Sequence, residues 1–311
     1  MNKFVILCVV ALYGASYSVE GASRIIGGTV ATGNEFNYMV SLQRISEVAQ
    51  LTRGHRCGGA LITLSHALTA ASCLHNNNQL IVASEHRLFA GATRLDDDSN
   101  EYRVRNVANF TIHPEFNPSQ RFNYDIAVIT TVSPFSNVAV STLRLPTEDI
   151  GIQLEPGCTT PGWGAQNSSA TASYQLMFIR SRITENAVCF QSYVNQGTSI
   201  TVFPNMLCAL PPTNSTGCHG DIGNPLVCGD YLQGVLFLSK DCASPVVMPS
   251  PDVYSRVFSH GAWLNETVFG IISQENTTTV APPTESGAST YQAGAGLLTI
   301  FALVQIVTSM S

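Results

Sequence analysis

The chain has 311 residues, 45% of them hydrophobic and only 12% charged, against a usual charged fraction of about 25% in soluble proteins. That composition excludes a disordered or solvating chain. With 15 basic and 21 acidic residues the formal charge is −6, and no Lys/Arg run occurs, so a nucleic-acid partner has nothing to hold.

At the start, Lys3 precedes an apolar run over residues 4–13 and then Gly14, Ala15, Ser16, Tyr17 and Ser18, the order of a secretory signal cleaved after Ser16 or Ser18. The run falls well short of the roughly 20 residues that span a bilayer, so residues 1–18 read as a signal peptide. Further on, short apolar or alternating runs such as 38–43, 60–63, 126–129 and 233–238 are broken by Gly, Pro, Asn and Ser. They predict buried strands in an all-β body, a barrel or a sandwich. Apolar residues at 257, 258, 262, 263, 264, 268 and 269 predict a helix over 257–272 docked on that body.

Cys8 lies in the signal, and the eight cysteines that remain are an even number in a secreted chain, which predicts disulfides. No CxxC pair occurs and the histidines are scattered, so neither a metal site nor a cofactor is expected. Glycosylation sequons stand at Asn109, Asn167, Asn214, Asn265 and Asn276. A Thr/Pro-rich stretch makes 273–286 a stalk. Small residues at Ser286, Gly287 and Ala288, a spacer over 289–296 and an apolar run over 297–307 follow. This is the layout of a glycosylphosphatidylinositol signal, with attachment at Ser286 and removal of 287–311. A short membrane span or an ordinary terminal helix is the competing reading. The expected location is extracellular, at the cell surface.

Seven motifs carry a family resemblance: Arg24-Ile25-Ile26-Gly27-Gly28, Cys57-Gly58-Gly59-Ala60-Leu61-Ile62, Leu68-Thr69-Ala70-Ala71-Ser72-Cys73, Asn123-Tyr124-Asp125-Ile126-Ala127-Val128, Gly162-Trp163-Gly164, Gly220-Asp221-Ile222-Gly223-Asn224-Pro225 and Asp252-Val253-Tyr254-Ser255-Arg256-Val257. In this order they resemble the chymotrypsin/trypsin-like serine proteases, over about residues 25–269. The resemblance implies two packed antiparallel six-stranded β-barrels, over 25–145 and 146–272, with a C-terminal helix and an active cleft between the barrels. It also implies a propeptide over 19–24 and the disulfides Cys57–Cys73, Cys158–Cys228, Cys189–Cys208 and Cys218–Cys242.

The family's triad is a Ser nucleophile, a His base and an Asp that holds the imidazole. The resemblance puts Ile222, Ser72 and Asp125 at those positions. Ile222 has no nucleophilic atom and the Ser72 hydroxyl is no base near neutral pH, so only Asp125 matches. Losing nucleophile or base alone costs on the order of a million-fold in turnover. His75 and His219 would still lack a nucleophile and read as loop residues. Asp125, without an imidazole, should turn to Ser72, backbone amides or water, because an unpaired buried carboxylate is costly.

The resemblance also locates the substrate-pairing strand at Phe237, Leu238 and Ser239, where the family has Ser-Trp-Gly, and puts Thr216 at the floor of the specificity pocket. Asp252 replaces a glycine of the pocket wall, to supply an acid there or to fill the space. Cleavage after Arg24 would free the amino group of Ile25 to pair with Asp221, as a working switch or as a remnant of the fold. The amides of Gly220 and Ile222 would form an oxyanion-type nest. Asn224 stands where the family has Gly, which puts the local backbone in question. The expected function is that of a catalytically inactive homologue that binds a protein, a protease or an inhibitor, at the former cleft. Two alternatives stand beside it: a peptidase of residual or non-standard activity, with Ser239 as its nucleophile, and an adhesive surface glycoprotein.

Overall fold

The structure, a computed structural model, describes residues 28–50, 52–97, 101–120, 122–152, 157–165, 173–195, 197, 200–213, 220–239 and 250–271. In chain order the first strands are β1 (Thr29–Val30), β2 (Met39–Arg44), β3 (His55–Leu61), β4 (His66–Thr69), β5 (His75–Asn76), β6 (Gln79–Leu80), β7 (His86–Ala90), β8 (Val104–Ile112) and β9 (Ala127–Thr131). There follow β10 (Cys158–Gly162), β11 (Met177–Thr184), the helix α1 (Asn186–Asn195), β12 (Met206–Leu210), β13 (Pro225–Cys228), β14 (Tyr231–Leu238), β15 (Asp252–Arg256) and the helix α2 (Gly261–Phe269).

Strands β2-β3-β4-β9-β8-β7 close into a six-stranded antiparallel barrel. A second sheet runs β1-β11-β10-β13-β14-β15-β12, and β11 also pairs with β12, closing a second six-stranded barrel to which β1 adds an edge. All-β, two-barrel architecture is thus the fold. Its local cause is visible in β11, where Met177, Ile179, Ser181 and Ile183 are buried while Arg180 and Arg182 are exposed, the period of two that a strand with one wet face requires. In β9, by contrast, Ala127, Val128, Ile129 and Thr131 are all buried, as suits a strand covered on both faces.

The strands predicted at 38–43, 60–63, 126–129 and 233–238 are β2, the end of β3, β9 and β14, each displaced by one to several residues. The predicted terminal helix is present but shorter than expected, and one further α-helix occurs among the described residues. The terminal helix begins with a 3-10 turn at Val257–His260 and runs as α-helix only to Phe269, because Gly270 takes a left-handed φ of 66° and its N–H caps back onto Asn265 and Glu266. The helix α1 was not expected at all.

Disulfides join Cys57–Cys73, Cys158–Cys228 and Cys189–Cys208, as the resemblance implies. Cys218 and Cys242 lie outside the described residues, as do Arg24, Ile25, Thr216, His219, Asn167, Asn214, Asn276 and Ser286. Contacts group Met1–Ser273 into one unit and Gln274–Ser311 into another, and the described residues all belong to the first. Among them no helix is long and apolar enough to cross a membrane.

Candidate active site

Both barrels deliver side chains to one cavity of about 400 Å³, lined by Arg56, Cys57, Ser72, Cys73, Phe122, Asp125, Ile222 and Phe237. The first barrel contributes Ser72 from the 3-10 turn after β4 and Asp125 from the loop before β9. Those two strands pair, with Thr69 opposite Ala127, so their neighbouring loops emerge at the same end of the barrel. The Cys57–Cys73 disulfide ties the Ser72 turn to β3. From the second barrel come Ile222, in the turn before β13, and Phe237, near the end of β14.

Asp125 is buried, and its Oδ1 accepts from the backbone N–H of Ser72 at 2.7 Å. Burial pushes its carboxyl up to about 6, while bonds from the Ser72 amide and hydroxyl and from the Ala71 amide pull the other way, as does the nearby His75. The carboxylate has therefore taken the partners expected of it. Its backbone carbonyl accepts from Ser255 Oγ at 2.8 Å, so the second barrel also holds this loop. His75 is turned toward the Ala71 turn and Phe116. Its Nδ1 meets the Ala71 carbonyl at 2.8 Å and its ring lies 5.4 Å from that of Phe116.

The remaining walls are part aromatic and part cationic. Phe237 is buried and its ring lies 6.0 Å from that of Phe122, a residue with the unusual φ of 94°. Arg56 closes one side, donating from Nε to the Cys73 carbonyl at 2.6 Å and from Nη2 to the His75 carbonyl at 2.7 Å. Neither Phe122 nor Arg56 was singled out in the sequence. The adjacency of Arg56 to the bridged Cys57 was the available signal for one, but nothing pointed to the other.

Of the remaining site residues, Gly220 has a φ of 93° and its carbonyl bonds His55 Nε2 at 3.0 Å. A carbonyl can only accept, so the proton sits on Nε2 and Nδ1 accepts from Ser41 Oγ at 2.7 Å. Burial lowers this imidazole to about 4 and keeps it neutral. Asp252 is 1% exposed, which fits a carboxyl that fills the pocket wall rather than one offered to solvent. Burial pushes it up to about 7; Ser239 opposes the rise and Asp221 adds to it. Among the described residues, neither Asp252 oxygen has a hydrogen-bond partner of good geometry. The concern over the backbone at Asn224 is corrected. The positive φ angles fall on Gly220 and Gly223, at 93° and 89°, so Asn224 needs no left-handed conformation.

The sequence model of the family described as Trypsin matches residues 25–264. The chain is 31% identical over 271 residues to a trypsin of Xenopus laevis, covering 86% of this chain and 98% of that one. It is 30% identical over 278 residues to chymotrypsin-like elastase family member 1 of Macaca fascicularis, covering 86% and 99%. To a trypsin of Sus scrofa it is 29% identical over 255 residues, covering 81% and 99%. Matched along both barrels and joined by the expected disulfides, the chain belongs to the trypsin family of serine proteases.

Proposed function

We propose that this trypsin-family chain has lost proteolysis and works outside the cell by binding a protein, a protease or an inhibitor, in the remodelled cleft. The observation that carries the reading is the meeting of Ser72, Asp125 and Ile222 in one cavity, with Asp125 held by the Ser72 amide. The Ser72 hydroxyl supplies no base near neutral pH where the resemblance expects an imidazole, and the Ile222 alkyl group supplies no attacking atom where it expects a hydroxyl. The aromatic and aliphatic surface of Phe122, Phe237 and Ile222 suits an apolar side chain of a partner, the kind of anchor that dominates binding energy in protein interfaces. Passage through the secretory pathway agrees with the leader and with three disulfides. Lipid anchoring through Ser286 is part of the same proposal.

The test begins with hydrolysis of a mixed peptide library by the purified ectodomain, cut after Arg24, beside the double variant Ser72→His, Ile222→Ser. The native protein should give no turnover above background. Cleavage that survives removal of contaminants overturns the reading and directs attention to Ser239. Once a partner is captured, Phe237→Ala and Leu238→Ala should weaken its binding at least tenfold, and unchanged affinity sinks the cleft as the site. Retention on cells after phosphatidylinositol-specific phospholipase C rejects the anchor.

A further inference from the structure

Three glycines make room for a buried amide and the carboxylate that it touches. Asn224 is fully buried, and its Nδ2 donates to Asp221 Oδ1 at 2.8 Å. The same oxygen accepts from the backbone N–H of Gly164 at 2.9 Å. A carboxylate oxygen can only accept, so the amide nitrogen must face it, which fixes the orientation of the side chain. A Cβ on Gly58 would stand 1.6 Å from Asn224 Oδ1, and one on Gly162 would stand 2.1 Å from Asn224 Nδ2. One on Gly164 would stand 2.1 Å from Asp221 Oδ2. Without those three glycines the pair could not fit. Asn224 is also tied by its backbone, its N–H bonding the Asp221 carbonyl at 3.0 Å and its own carbonyl accepting from Leu236 at 2.9 Å.

The turn from Gly220 to Asn224 presents Ile222 to the cleft. Its other ties reach both barrels: Gly58 N–H to the Ile222 carbonyl at 3.0 Å, Gly223 N–H to the Leu236 carbonyl at 2.7 Å, and His55 to the Gly220 carbonyl. Asp221 is 1% exposed, and a carboxylate so buried has to be supplied with donors. The resemblance leads one to expect a cationic donor, the amino group that cleavage after Arg24 would free. Asn224 is a neutral donor already built into the fold.

We propose that Asn224 is a positioning residue that supplies Asp221 with an internal donor, so that the turn over residues 220–223 keeps its cleft-forming conformation in the chain not cut after Arg24. The inference goes beyond the binding function and stands whether the cleft binds or cuts. It makes the cleft available as soon as the protein is secreted, without proteolytic activation.

The experiment is amide hydrogen exchange of the ectodomain over residues 220–226, corrected for intrinsic rates, at pH 5 and pH 8. It compares the cut protein, the Arg24→Gln protein that cannot be cut there, and Asn224→Gly and Asn224→Asp placed in the uncut background. The cut and uncut parents should agree within twofold at both pH values. Asn224→Gly should speed exchange in this segment at least tenfold. Asn224→Asp sets two carboxyl groups face to face, so it should exchange like the glycine variant at pH 8 and return toward the parent at pH 5, where a shared proton makes one carboxyl a donor again. That recovery with acid is a signature that simple loss of packing would not give, and it remains readable if the glycine variant fails to fold. Protection that develops only after cleavage, or an Asn224→Asp variant whose exchange is indifferent to pH, overturns the proposal.

Discussion

Asp252 illustrates how one side chain sets a local pH dependence. Its carboxyl is 1% exposed and held at about 7, against 3.8 when unfolded. A carboxyl whose folded value is raised destabilises the fold: the penalty is absent below about pH 4 and grows as pH rises to 7. At about 1.4 kcal/mol per unit, Asp252→Asn should stabilise the protein by a few kcal/mol at pH 8 and by almost nothing at pH 4. Urea unfolding at the two values measures this, and an equal effect at both would refute it. The position of Asp252 was legible from its motif, but the choice between acid and filler was not, because burial depends on chain segments distant in sequence. Asn224 was harder still. A change from the family's Gly reads as a backbone problem, whereas the strained angles lie at Gly220 and Gly223 and the room for the amide comes from Gly58 and Gly162, far along the chain.

At the level of elements, strands were legible wherever burial alternates, as in β11, because the period of two is written directly into the residues. The helix α1 was not legible, since its large apolar residues Val188, Phe190 and Val194 are exposed while only Cys189 and Tyr193 are buried. An apolar pattern facing water cannot announce a helix. Tertiary ties hold it instead: the Cys189–Cys208 disulfide, Asn186 Nδ2 to the carbonyls of Phe203 and Met206 at 3.1 and 3.3 Å, and Tyr193 Oη to the Pro251 carbonyl at 2.9 Å. The last bond reaches the residue before Asp252. Tyr193→Phe keeps the packing and leaves that buried carbonyl without its donor, so it should cost about 1–3 kcal/mol. A stability loss below a few tenths of a kcal/mol in denaturant unfolding would show that the helix is held by its disulfide and packing alone.

Across the whole molecule, buried groups of opposite sense face each other in their effect on stability. Burial lowers His55 to about 4, and burial together with the neighbouring His113 lowers His260 to the same value, against 6.5 unfolded. A histidine whose folded value is depressed destabilises the fold as pH falls from about 6.5 to 4, because the unfolded chain takes up the proton first. Asp125 and Asp252, raised to about 6 and about 7, destabilise as pH rises through nearly the same window. These two pairs oppose each other, and His66, His86 and His113, lowered by burial as well, add to the histidine side, so the parent protein should gain stability as pH rises from 4.5 to 6.5. Removing one histidine weakens that gain. His260→Phe, which keeps an aromatic ring beside His113 and Tyr124, removes a contribution that rises with pH, so its stability should fall across the window by about 2 kcal/mol relative to the parent. Thermal or urea unfolding at half-unit steps of pH follows both curves. Parallel curves would mean that His260 titrates as an ordinary histidine and that the acid side of the balance rests on other groups.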